Sequence, residues 1–303
     1  MKISDLTPAR LRERLAGDGL KFQTGPFVVR LQTSLATVVE GLGILYGEFP
    51  LLPDEEFADF HISLRLPRTL RRWIRPQVIY SYNGESPFPP LPCTQAFPFF
   101  ETGLNWSIYS EVFNYLIIHA AAVERGGHAA ILPAPPGSGK STLTAGLIHR
   151  GWRLLTDELT LVSLSTKRVV PLARPISLKN QAIDIIQQFA PSSVIAAKCC
   201  NTAKGTVAYL RPPAESVARM LEPSIPRWLI YPQFSSNGDL SFSALGKAAT
   251  FSRLADGLVN YTVLGSAGFD LLTSLIDELD CYEFTYSDLG EAIAWFDRLV
   301  ESD

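Results

Sequence analysis

Residues 134–142 read Ala134-Pro135-Pro136-Gly137-Ser138-Gly139-Lys140-Ser141-Thr142, a run in which glycines, a lysine and hydroxyls stand where a chain of phosphates can be gripped. Gly137 and Gly139 carry no Cβ, so their backbone N–H groups can turn inward on phosphate oxygens, and a helix that starts here adds the positive end of its dipole. Lys140 is then placed to neutralise β- and γ-phosphates, and Ser141 to set its hydroxyl on Mg2+. The string predicts nucleotide contacts from Pro136, Gly137, Ser138, Gly139, Lys140, Ser141 and Thr142, with ATP and Mg2+ as the cofactors. Alanine at 134 stands where the phosphate-loop pattern has glycine.

Two further groups are aimed at the same place. Residues 119–125 and 128–134 are apolar runs separated only by Gly126-Gly127, which predicts a tight hairpin. With Arg125 facing His128, counting back sets His119 opposite Ala134, beside the mouth of the loop; the competing reading is a core histidine held by a backbone carbonyl. Downstream, Trp152-Arg153-Leu154-Leu155-Thr156 reads as a short strand ending in Asp157-Glu158. A strand–helix–strand crossover runs its strands in parallel, so both acids should reach the edge where the loop sits. One carboxylate there can serve Mg2+ while the other accepts a proton from an attacking hydroxyl.

The elements that must position these groups follow from the pattern around them. Ile131-Leu132 closes an apolar strand, and residues 143–149 have helical character, giving the strand, glycine loop, helix order a P-loop needs. Residues 1–105 read as a smaller β-rich α+β domain. It holds a capped helix starting near Ser4 or Thr7, strands at 27–32 and 57–66, and a strand at 77–82 ending in the turn pair Asn83-Gly84. Residues 106–303 read as an α/β nucleotide-binding core, with helices expected at 106–117, 179–189, 267–279 and 288–300, the last capped by Ser287.

Composition excludes several classes. Of 303 residues, 47% are hydrophobic and 19% charged, with a net charge of −3, so no global basic field exists to hold a nucleic-acid backbone. Cys93, Cys199, Cys200 and Cys281 show no CxxC spacing, which fits a reducing, cytoplasmic setting. The charged N-terminal residues do not make a signal peptide, and the apolar stretch at 115–123 is too short to span a membrane. Arg65, Arg68, Arg71, Arg72 and Arg75 form a basic group that reads as a solvated face or a dock for an acidic partner.

The same residues resemble the HPr kinase/phosphorylase superfamily, and within it the HPr-related kinase A branch, over about residues 105–300. The shared pattern is a histidine opening a strand (His119-Ala120-Ala121-Ala122-Val123), a P-loop, and the run from Arg150-Gly151 to Asp157-Glu158. The resemblance implies a P-loop, HPr-kinase-like fold. It implies that Asp157 is the catalytic base with His119 as its orienting partner, that Lys140 acts on the phosphates, and that Glu158 is a metal or supporting ligand; Asp157 and Ser141 share that metal. A recognisable HPr-docking segment is absent. In its place stand Arg174-Pro175-Ile176-Ser177-Leu178-Lys179-Asn180 and residues 204–213, which offer Lys179, Lys204 and Arg211 as contacts to phosphate or acceptor. The relatives imply a peptide or protein hydroxyl as acceptor, a small peptide-chaperone protein as a candidate partner, and homo-oligomerisation. The resulting expectation is an ATP-dependent serine/threonine kinase. A small-metabolite kinase and a nucleotide-dependent scaffold or ATPase stay open beside it.

Overall fold

The computed structural model describes residues 1–69 and 73–301; Arg71 and Arg72 of the basic group lie outside the described residues. The chain begins with α1 (Pro8–Ala16), whose cap is local: Thr7 accepts from the N–H of Arg10, and proline occupies the first turn. Leu11 and Leu15, one turn apart, fix its buried face. β1 (Leu20–Thr24) and β2 (Phe27–Thr33) form a hairpin, α2 (Ala36–Leu45) crosses over, and β3 (Phe60–Arg65) pairs in parallel with β2. β4 (Gln77–Tyr82) and the two-residue β5 (Leu91–Pro92) complete a five-stranded sheet in the order β1-β2-β3-β4-β5. Asn83 and Gly84 do make the expected turn, at φ 48° and 89°, but it closes only a single bridge from Tyr82 to Glu85 before the prolines lead the chain away.

The helix expected at 106–117 is displaced. α3 runs Ala96–Glu111, across the point where composition suggests a division, and Tyr115–Ile118 is instead a strand, β6. Tyr115, Leu116, Ile117 and Ile118 all pair with β10, so sheet packing overrides the local period. The core under the first sheet also takes in Leu159, Leu172, Val207 and Tyr209 from far along the chain.

After β6 come β7 (Ala120–Arg125), β8 (His128–Pro133), α4 (Lys140–Ile148), β9 (Arg153–Thr156), β10 (Thr160–Ser163), β11 (Val169–Val170) and β12 (Ile176–Lys179). α5 (Gln181–Phe189), β13 (Cys199–Thr202), β14 (Gly205–Leu210), α6 (Ala214–Ala218) and β15 (Ile225–Phe234) follow. The chain ends with β16 (Ser241–Ala244), α7 (Lys247–Ala255), α8 (Tyr261–Leu264), α9 (Ser266–Glu278), β17 (Asp280–Tyr286) and α10 (Leu289–Glu301). Lys179 therefore ends a strand rather than opening a helix. The last helix is capped by Asp288, whose carboxylate accepts from the N–H of Glu291, and not by Ser287.

The central sheet has six strands in the order β16-β17-β15-β8-β7-β9. Both of its faces are covered. Ala121, Val123, Ala130, Leu132, Trp228 and Ile230 pack under Leu143, Leu147 and Phe296 of α4 and α10. Ala120, Ala122, Ala129, Ile131 and Leu229 pack on Leu272, Leu275 and Ile276 of α9. Strands buried on both faces read as unbroken apolar runs, which is why β7 and β8 contain so few polar residues. β15 runs parallel to β8 and to β17, whereas β7 lies antiparallel between β8 and β9. β8 and β9 thus point the same way, as a crossover requires, without being neighbours. Among the described residues, no helix is long and apolar enough to cross a membrane.

Candidate functional site

The glycine loop joins β8 to α4 at the sheet edge where β15 and β17 also end. Gly137 and Gly139 adopt φ 88° and 85°, a left-handed conformation that costs a side-chain-bearing residue strain. Gly139 has a second reason to be glycine: a Cβ there would lie 2.5 Å from Tyr286 Oη and 2.9 Å from Phe234 Cβ. Those two residues brace the loop, Tyr286 Oη donating to Gly139 O at 3.0 Å and the Phe234 N–H donating to Ser138 O at 2.8 Å. The first N–H groups of a helix have no intrahelical acceptor, so α4 opens on the loop with unspent donors.

Asp157 follows β9, and the Thr156 hydroxyl accepts from the N–H groups of Glu158 and Leu159 to hold the turn. Asp157 is 7% exposed. Its Oδ2 accepts from Ser141 Oγ at 3.3 Å and from the Ser177 N–H at 3.1 Å. Its Oδ1 is buried with no hydrogen-bond partner among the described residues. Burial pushes its pKa up to about 6, with Glu158 adding to the rise, while Lys140 and the two hydrogen bonds work against it. Lys140 is its counterpart: burial lowers the ammonium pKa, and Asp157 and Glu158 partly restore it.

Glu158 accepts from Asn105 Nδ2 at 2.7 Å and stands 4.0 Å from Lys204 Nζ. Burial works to raise its pKa, but Lys204, His119, Arg174 and Lys179 outweigh it and keep the carboxylate below its ordinary value. His119 sits in the break between β6 and β7, its backbone N–H donating to Gly257 O at 2.8 Å. The hairpin register runs from Arg125 opposite His128 to Ala120 opposite Pro133, so one further step brings His119 to Ala134. Gly126 and Gly127 turn that hairpin at φ 64° and 87°. His119 is solvent-exposed at one edge. Its pKa is nonetheless depressed, by the protein packed around the ring and then by Lys140, with Glu158 opposing. No hydrogen bond among the described residues joins His119 to Asp157; the acid it senses is Glu158.

Lys179 lines a cavity of about 770 Å³ together with Gly137, Gly139 and Thr142 of the loop and Phe189, Phe234 and Tyr286 beyond it. That is room for a nucleoside-sized group next to the glycine loop. Arg211 does not join the group: it lies exposed just after β14, at the opposite end of that strand from Lys204, and lines none of these cavities.

The residues that sequence reasoning missed come from afar. Arg174 is 6% exposed and donates to Glu101, to Asn105 Oδ1 and, at 3.4 Å, to Tyr46 Oη. Tyr46 Oη in turn donates to Glu101 Oε1 at 2.6 Å. Burial disfavours the Arg174 charge, yet Glu101 and Tyr46 more than compensate and hold its pKa above the ordinary arginine value. The chain Tyr46–Glu101–Arg174–Asn105 thus ends on Glu158 and fixes its carboxylate from the side of α2 and α3. The only local signal was the spacing of Glu101 and Asn105, one helical turn apart on α3.

Among the described residues, no group of three or more His, Cys, Asp or Glu side chains is arranged to hold a metal by itself. Ser141 Oγ beside a buried carboxylate with one unpartnered oxygen suits Mg2+ better than a dedicated cage would. Mg2+ takes one or two protein oxygens and completes its shell with phosphates and water. Chemically, the arrangement can hold a phosphate chain on backbone donors and Lys140, and can take up a proton on a carboxylate tuned close to neutrality.

No family model matches the chain, and no curated protein is similar to it. Among solved structures, the Hpr(Ser) kinase/phosphatase from Coxiella burnetii aligns with a TM-score of 0.28 and 11% identity over 62% of this chain and 99% of that one. At that level of likeness the reading of the site rests on the chain's own geometry.

Proposed function

We propose that the chain is an ATP-dependent phosphotransferase that moves the γ-phosphate to a serine or threonine hydroxyl of a peptide or protein. The observation that carries this is Asp157: a buried carboxylate with a pKa of about 6 and one free oxygen, hydrogen-bonded to the serine that follows Lys140 on the glycine loop. A general base needs a pKa near the working pH, so that it is mostly ionised yet still basic.

In this reading the P-loop backbone and Lys140 bind the β- and γ-phosphates, and the nucleoside occupies the cavity at Phe234 and Tyr286. The acceptor oxygen attacks the γ-phosphorus. As the new O–P bond forms, the bond to the β,γ-bridging oxygen breaks, ADP departs, and the hydroxyl proton passes to Asp157 and then to solvent. Mg2+, when bound with the nucleotide, would neutralise phosphate charge; Ser141 would hold it, with Glu158 in support, and Asp157 is left to take the proton. His119 and Lys204 act on Glu158, keeping it ionised beside the reacting groups.

The test is transfer of labelled γ-phosphate to serine- and threonine-containing peptides, read by mass spectrometry, for the wild type and Asp157→Asn. Phosphopeptide from the wild type and at least about a hundredfold less from the variant is the expected result. Full transfer by the variant would overturn the base assignment, and release of inorganic phosphate alone would make the chain an ATPase.

A further inference from the structure

A cavity of about 300 Å³ lies along the seam between residues 88–91 with α3 on one side and the β13–β14 hairpin on the other. Phe88, Pro89, Leu91, Phe99 and Val207 give it apolar walls, while Glu158 and Ser177 bring polar groups to it. It shares no lining residue with the large cavity at the glycine loop. Glu158 and Ser177 also line a gap of about 20 Å³, together with Asp157 and Thr156. A space of that size admits one water or one hydroxyl oxygen and nothing larger.

We infer that these two spaces form the acceptor site, and that the acceptor is a peptide serine or threonine flanked by a bulky apolar side chain. The inference rests on the phosphotransfer reading and adds the class of substrate. The larger space takes the apolar side chain, whose burial against Phe88, Leu91 and Phe99 supplies affinity. The smaller one takes the hydroxyl, delivered to Asp157. Ser177 links the two, because its N–H holds Asp157 Oδ2 at 3.1 Å while its side lines the apolar space. Pro89, Thr102, Ala203 and Lys204 at the rim are exposed, so a chain can enter and leave past the seam, as a peptide must and an enclosed metabolite need not.

The experiment compares N-acetyl-Phe-Ser-Phe-amide with N-acetyl-Gly-Ser-Gly-amide, titrated into the full chain with Mg2+ and a nonhydrolysable ATP analogue, for the wild type and Ala203→Trp. Ala203 is an exposed hairpin residue, so tryptophan there fills the cavity mouth without entering the core. The aromatic peptide should bind the wild type at least about tenfold more tightly, an advantage lost in the variant while its affinity for the nucleotide analogue is kept. Equal binding of the two peptides, or an unchanged preference in Ala203→Trp, overturns the pocket assignment. Preferential binding that is never followed by phosphorylation with ATP leaves the pocket standing and removes the phosphotransfer reading instead.

Discussion

Strand β9 carries buried charge at both of its ends, and the two ends treat it in opposite ways. At the start, Arg153 is 6% exposed and Glu124 4%, and Arg153 Nε and Glu124 Oε2 form an ion pair at 2.5 Å, outside hydrogen-bond geometry. The guanidinium is further satisfied by Ser224 Oγ at 2.6 Å and by the Glu222 and Arg219 carbonyls. Just past the other end, Asp157 is equally buried, yet among the described residues one carboxylate oxygen has no hydrogen-bond partner and no guanidinium is paired with it. Buried charge is costly unless paired, so the closed end reads as architecture and the open end as a place kept ready for something the chain does not itself contain. The elements around them agree: the connection from α6 to β15, residues 219–224, closes over Arg153, whereas Ser141 of the glycine loop and Ser177 of β12 meet Asp157 with donors.

The comparison can be broken by substituting at either end. Asp157→Asn should reduce phosphoryl transfer by about 10²- to 10⁴-fold, the usual contribution of a general base, in a folded protein. Glu124→Ala should do the reverse. It leaves Arg153 buried without its counter-charge and should lower stability by about 3 kcal/mol in denaturant melts, with transfer per folded molecule unchanged. Equal loss of transfer from both variants would mean the two ends do not differ in kind.

A smaller effect sharpens the contrast. A carboxyl raised from 3.8 to about 6 by folding binds its proton more tightly in the folded state, so its ionisation costs stability as pH rises through that range. The cost is absent below the unfolded value and complete above about pH 6, where it amounts to at most about 3 kcal/mol. Asp157→Asn should therefore stabilise the nucleotide-free protein at pH 8 and leave it unchanged at pH 4. Destabilisation at pH 8 would make Asp157 a structural residue like Arg153.

Which parts were legible in the sequence follows from how local their causes are. The Gly126-Gly127 hairpin with its register and the first helix cap, which falls on Thr7 of the two candidates, each depend on a few adjacent residues, and both stand as the pattern indicates. Asp157 reaches Ser141 because a crossover helix sets strand direction, even though β7 is interposed; that strand's place depends on a pairing with Arg153, Leu154 and Thr156 that no local pattern encodes. The failure at 106–117 had the same origin, since Leu116 and Ile117 carried a helical spacing while their partners were Leu161 and Val162. Least legible was the support of Glu158. Tyr46, Glu101, Asn105 and Arg174 meet only in the folded chain, and a buried polar network assembled from residues so far apart in sequence leaves no period or motif behind it.

The most direct measurement of the central claim is equilibrium binding of ATP with Mg2+ to the wild type and to Lys140→Ala, at neutral pH and moderate salt. If the sheet edge at residues 134–142 is a triphosphate site, the wild type binds and the variant loses at least about tenfold in affinity, because a partly buried ammonium no longer meets the phosphates. No binding by the wild type, or equal affinity in the two proteins, would contradict it.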